Sequence, residues 1–233
     1  MKDMTDGMLP SVGGGTTSAL DTFVSTTSGS KYATYLAWQE AYAKACTLTT
    51  NDKSEGSANS ALYADLWVLS DAYKKIIQLN VASNTTIVGK DANSGIKGAN
   101  ISISGVENVV LRNLIIQDAY DPFPHHEKND GYNAQWDCIT IQGNSKYVWI
   151  DHCTIQDTLT LAHVYTNGNK DDSDYKEKWQ TYDGLLDIKG LSQYMTVSNC
   201  KFKNHDKTSL IGNDDSEGND GTHRGEGHDP GGR

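Results

Sequence analysis

Two hydrophobic textures divide the chain. Between residues 31 and 46, Tyr35, Trp38, Tyr42 and Cys46 recur at spacings of three and four, the period of one helix face, and residues 60–76 read the same way. Residues 1–30 are rich in Gly, Ser and Thr and read as loop. From Thr85 onward the pattern changes to short β-branched runs that alternate apolar with polar and are punctuated by Gly and Asn. That is strand texture.

The strand-like half repeats itself. Val110 to Asp118 can be laid on Trp149 to Asp157 at an offset of 39 residues, and the latter on Thr196 to Asn204 at an offset of 47. A second set precedes these: Ile101 to Gly105, Ile139 to Gly143 and Leu186 to Gly190, the last two again 47 apart. Imperfect repeats of short strands in fixed order, with inserts of varying length on one side, predict a solenoid. With no helices between the strands, the solution is a parallel β-helix, in which each coil is stabilised by stacking the next upon it. Asn113, His152 and Asn199 should then stack at one turn, so His152 reads as a ladder residue rather than a general base. Cys153 and Cys200 fall at equivalent positions on adjacent coils, about 5 Å apart by strand spacing, and read as stacked thiols rather than a disulfide. The four cysteines show no CxxC pairing, which argues against structural zinc.

Composition agrees and adds a constraint. With 22 Gly, 4 Pro and 36% hydrophobic residues, the chain is turn-rich and β-rich rather than a helical bundle. No run approaches the roughly 18 apolar residues of a membrane span, and no long Lys/Arg cluster suggests nucleic acid as a partner. No secretory signal pattern is visible in residues 1–15. The net charge is −10, so binding an anionic polymer would need local lysines or a bridging cation.

Candidate chemistry lies where residues break the strand pattern. Asp187 stands where the preceding unit has Thr140; Asp183, four residues earlier, shares its outer face; and Asp137 aligns with Gly184. Three carboxylates converging on neighbouring coils repel, and a cation among them resolves this simply. Oxygen-only ligands select a hard ion such as Ca²⁺. The competing reading is that some of these are solvated surface acids. Lys189 shares the outward face of Asp187, and Lys207 opens the next strand, so the two could seat a polyanion. His125 and His126 either line the cleft or decorate an insert.

These residues also carry a resemblance. Val148 to His152 resembles the VWIDH segment of the polysaccharide lyase family 1 pectate lyases, and Asn84 to Gly89 their NTTIVG strand. Asp118 to Asp121 followed by Gln135 to Asp137, Asp183 to Gly190, and His205 to Gly212 are similar to further family segments, the last to HDK(S/T)xLIG. Together they cover residues 76–215 in the right order. The resemblance implies a right-handed parallel β-helix over residues 76–215; residues 1–75, where the resemblance fades, read as a loop and helical cap region, and residues 216–233, which depart from the family, as an irregular tail. The resemblance also implies calcium held by Asp137, Asp183 and Asp187, and Lys189 and Lys207 contacting substrate carboxylates, with Lys207 sharing in catalysis. The implied reaction is anti β-elimination on de-esterified polygalacturonate, by a secreted monomeric enzyme that binds neither nucleic acid nor membrane.

One expected part is missing. The family's base is an arginine in an RxPxxR segment, which does not occur in the 233 residues; Arg224 is a conceivable substitute without supporting surroundings. The polar, Gly-rich tail reads as the end of a truncated or frame-shifted product, weak or inactive alone, with an uncovered sheet end open to self-association. A polygalacturonase on the same fold, or a non-catalytic polyuronate-binding solenoid, are the alternatives.

Overall fold

The computed structural model describes residues 1–4, 19–47, 60–127, 131–158 and 179–212. Three helices precede most of the strands: α1 (Ala19–Thr27), α2 (Tyr35–Thr47) and α3 (Ser60–Ile77). α2 buries Tyr35, Trp38, Tyr42 and Cys46, the face read from the sequence. Thr34 caps it: its Oγ1 accepts the N–H of Ala37 at 3.1 Å, satisfying one of the orphan donors of the first turn. Asp21 Oδ1 accepts the N–H of Tyr35 at 2.8 Å, tying α1 to the same helix start.

α1 corrects the expectation of loop over residues 1–30. Its composition is helix-poor, but Leu20 and Val24 are fully buried four residues apart, and that packing overrides propensity. Gly29, with φ of 64°, ends the helix in the left-handed conformation that lacks a penalty only for glycine.

Most strands among the described residues belong to three parallel sheets. The first is ordered β16–β13–β10–β5–β2, with β2 (Gln78–Asn80), β5 (Asn100–Ser104), β10 (Ile139–Gln142), β13 (Leu186–Ile188) and β16 (Ser209–Ile211). The second is β14–β11–β6–β3, from β3 (Thr85–Val88), β6 (Glu107–Arg112), β11 (Lys146–Asp151) and β14 (Gln193–Ser198). The third joins β1 (Lys2–Asp3), β4 (Gly95–Lys97), β7 (Ile115–Gln117), β12 (Thr154–Gln156) and β15 (Lys201–Lys203). Consecutive strands fall in different sheets and every pair within the three sheets is parallel, which is a parallel β-helix. A short antiparallel hairpin of β8 (His125–Glu127) and β9 (Gly131–Asn133) lies outside them.

Register follows the repeat. Trp149 pairs with Val110 and with Thr196, and Ile139 with Ile101 and Leu186. The inward positions, among them Ile101, Leu111, Ile116, Ile139, Ile150 and Ile155, are fully buried in one core. Each contributes roughly 1.5–3 kcal/mol by burial. Asn113, His152 and Asn199 stack as expected, all at positive φ (54°, 51° and 52°). Asn113 Nδ2 donates to the Gly89 carbonyl at 2.8 Å, and Asn199 Nδ2 to Asp151 Oδ1 at 3.1 Å. All four cysteines are free thiols.

A second, aromatic core joins the helices to the inserts of the solenoid. Trp38, Tyr42, Tyr73, Phe123, Tyr132 and Trp179 pack in edge and stacked pairs, such as Trp38–Tyr42 at 5.3 Å. His125 and His126 sit under this layer, 3% and 2% exposed, so they neither line a cleft nor decorate a free insert. Among the described residues no helix is long and apolar enough to cross a membrane. Arg224 and the tail lie outside the described residues.

Candidate metal centre

Asp187 points outward from β13, directly opposite Thr140 of β10. Asp137 and Asp183 lie just before those two strands, one on each coil, so the parallel register alone brings the three together. One carboxylate oxygen from each lies within 4.8 Å of the others. Gly184 makes the approach possible. A Cβ there would stand 2.7 Å from Asp137 Oδ1 and 2.7 Å from Asp187 Oδ1.

The carboxylates are unequally satisfied. Asp137 Oδ2 accepts the Thr140 hydroxyl at 2.7 Å, while its Oδ1 is buried with no hydrogen-bond partner. Burial, then the charges of Asp187 and Asp183, push the Asp137 carboxyl up to about 7, against Lys189 and the Thr140 bond. Asp187 Oδ1 accepts the backbone N–H of Leu210 at 3.1 Å. A hard divalent cation fits this set: the donors are all oxygen, one buried oxygen is orphaned, and a side chain is missing where the oxygens converge. It would supply the charge that the cluster lacks.

Both predicted lysines join the cluster. Lys189 Nζ lies 3.6 Å from Asp137 Oδ2 and 3.6 Å from Asp187 Oδ2. Lys207 Nζ donates to Asp183 Oδ1 at 2.9 Å and to Asn133 Oδ1 at 3.1 Å. His152, by contrast, sits in the turn that leaves the second sheet, beside Asp151 at 2.8 Å, and belongs to the ladder.

Two supports escaped the sequence reading. Asp121 is fully buried and accepts the N–H groups of Phe123 and Gln135, each at 2.9 Å, while its own N–H donates to Thr181 at 2.8 Å. It thereby ties the segment leading to Asp137 to the segment leading to Asp183. The Asp121–Pro122 pair carried the signal: Asp before Pro, bonding to the N–H two residues on, is an Asx turn. The second support is His205. Its Nδ1 faces the Asp157 carboxylate and its Nε2 the Asp183 carbonyl at 2.9 Å. With Asp157 ionised both partners are acceptors, an arrangement that favours hydrogen on both ring nitrogens; burial, which pushes the Asp157 carboxyl up, works against that ionisation. Burial opposes the imidazolium charge as well, but the bond to Asp157 and its charge outweigh it and raise the pKa above the ordinary histidine value.

The family model described as pectate lyase matches residues 8–227. The chain belongs to the pectate lyase family. It is 45% identical over 148 residues to pectate lyase D of Dickeya chrysanthemi, a match covering 64% of this chain and 36% of that protein. It is 37% identical over 155 residues to a pectate lyase of Bacillus subtilis strain 168, covering 63% and 34%. Among solved structures, a pectate lyase bound to a hexasaccharide superposes with a TM-score of 0.65 at 30% identity, over 82% of this chain and 48% of that one. The chain thus spans about a third of the length of the curated relatives it matches. Within this pectate lyase fold, the acids and lysines singled out by their strand positions form one cluster on the outer face of the first sheet.

Proposed function

We propose that these residues are the calcium and substrate seat of a secreted pectate lyase, which cleaves de-esterified polygalacturonate by anti β-elimination. The observation that carries this reading is the convergence of Asp137, Asp183 and Asp187 beside two lysines on one outer sheet face.

Asp137, Asp183 and Asp187 would hold the ion, which would supply a hard positive charge beside a uronate carboxylate and so make the C5 proton more acidic. Lys189 stands between two of the ligands and orients that carboxylate. Lys207, whose side chain is 39% exposed, exchanges Asp183 for a substrate carboxylate and neutralises charge that grows toward the enolate. Such fixed charges act without reorganising during the reaction, which is why they are effective. Proton removal at C5 and departure of the glycosidic oxygen from C4 leave an unsaturated sugar. The family's RxPxxR base does not occur in these 233 residues, so the C5 base is assigned to none of the residues described above.

The test has two readouts. Binding of the 233-residue chain to polygalacturonate should require calcium and be abolished by a chelator. Ultraviolet-absorbing unsaturated ends should form where cleavage occurs. Saturated reducing ends released with calcium chelated would instead indicate hydrolysis; calcium-dependent binding with no cleavage, even when an RxPxxR-bearing segment is restored after the solenoid, would favour a binding solenoid.

A further inference from the structure

The outward side chains of the sheet that carries the candidate metal centre form a hydrogen-bonded polar row reaching well beyond it, in which Asn100 and Thr140 are themselves buried. Asp137 Oδ2 accepts the Thr140 hydroxyl at 2.7 Å, and Asn100 Nδ2 donates to that hydroxyl oxygen at 2.8 Å and to the Asp137 carbonyl at 2.8 Å. Gln78 Nε2 in turn donates to Asn100 Oδ1 at 3.2 Å. From β13 to β2 this row crosses three strand steps, roughly 14 Å at ordinary strand spacing.

Gln78, at the far end of the row, also lines a cavity of about 450 Å³ together with Asp71, Lys74, Lys75 and Asn80. Lys74 and Lys75 are exposed in the last turn of α3, immediately before β2. Neither forms an ion pair among the described residues. Lys74 is held in place: its Nζ lies over the Trp136 ring, 5.8 Å from the centroid, and Trp136 immediately precedes Asp137. A protein of net charge −10 thus places two ammonium groups at the end of the polar track that leads to its metal centre.

We propose that this cavity is a distal subsite for the same polyuronate chain, in which Lys74 and Lys75 bind carboxylates several sugars away from those at Lys189 and Lys207. The assignment rests on the function proposed above. Its chemistry is charge-assisted hydrogen bonding from ammonium to uronate, with Gln78 and Asn80 offering neutral partners to hydroxyls. Its consequence is length discrimination: an oligomer long enough to reach α3 binds more tightly than one that fills only the metal-centre end. Since the lysines are exposed, the gain shrinks as ionic strength rises.

The experiment is calorimetric titration of the full 233-residue chain in calcium, with trigalacturonate and with a long oligogalacturonate. The wild type and a Lys74→Gln/Lys75→Gln double variant are compared. The expected result is roughly five-fold weaker binding of the long oligomer by the variant, with the trisaccharide affinity as internal reference. Equal long-oligomer affinities overturn the subsite and leave the metal-centre reading intact. A variant that loses thermal stability yet keeps wild-type affinity also overturns it, since the lysines would then serve only the C-terminal dipole of α3. A wild type that binds neither oligomer in calcium overturns both readings together.

Discussion

Gly184→Ala isolates the geometry on which the metal centre depends. The new Cβ would lie 2.7 Å from Asp137 Oδ1, 2.7 Å from Asp187 Oδ1 and 3.3 Å from Asp187 Cγ. Neither carboxylate can swing away freely, because Asp137 is held by Thr140 and Asp187 by the Leu210 N–H. Each oxygen stands about 0.7 Å inside ordinary contact, which begins at 3.4 Å, and must retreat by that much. Overpacking of this kind costs about 1–3 kcal/mol, offset in part by about 0.4–1 kcal/mol from the stiffer unfolded chain. The metal-free protein should therefore lose about 1–2 kcal/mol of stability, while calcium affinity falls about ten-fold or more, as when ligands lose their supporting geometry. At calcium equal to one hundred times the wild-type Kd, the ion stabilises the wild type by about 2.7 kcal/mol and a ten-fold weaker variant by about 1.4 kcal/mol. Thermal unfolding with and without calcium reads that difference, and titration calorimetry reads the affinity directly. A Gly184→Ala variant that binds calcium as tightly as the wild type would refute the shared site.

Lys189→Met should separate the two roles of the cluster: polygalacturonate binding weakens, while calcium affinity, measured by calorimetry, holds or rises because a cation 3.6 Å from two ligands is gone. Asp121→Asn should destabilise the fold by about 2 kcal/mol in urea titrations, since one backbone N–H then faces an amide donor. Burial pushes the Asp121 carboxyl up to about 7 from 3.8, against its two backbone hydrogen bonds. Between those values the folded chain holds a proton that the unfolded chain has released, so this group's contribution to stability falls as pH rises from about 4 to about 7. The stability gap between wild type and Asp121→Asn should narrow over that window; a constant gap would contradict the assignment. Ile150→Ala, deep in the solenoid core, should cost about 2–5 kcal/mol by denaturant unfolding.

The solenoid was legible because its register is written as sequence offsets. A spacing of 47 aligns Ile139 with Leu186 and Trp149 with Thr196, and both pairings are present in the sheets. Alternation then assigned Thr140 and Asp187 to the outer face without further information. What escaped depends on contacts between distant segments. α1 exists because Leu20 and Val24 are covered by the aromatic core, to which Phe123 and Trp179 contribute from inserts far along the chain. The same layer buries His125 and His126, which no local pattern distinguishes from surface histidines. Asp121 was hidden differently: its turn signature was local, but its bonds to Gln135 and Thr181 bridge two inserts whose proximity only the stacked coils create.

That stacking explains why the candidate site stands out from the structural ladders. A parallel coil places equivalent residues about 4.8 Å apart, and the outcome depends on what those residues can exchange. At the Asn113–His152–Asn199 turn each rung finds a hydrogen-bond partner on a neighbouring coil or in the residue beside it. Tyr147 and Tyr194 stack at 4.9 Å with their planes 8° apart. Such rungs satisfy one another and need no external group. Ionised carboxylates in the same geometry cannot, because each then offers only acceptors and like charge. Lys189 and Lys207 relieve part of that conflict, yet Asp137 Oδ1 remains buried without a partner. The unsatisfied rung thus separates function from architecture in this fold, and filling it with a cation is what Gly184→Ala would obstruct.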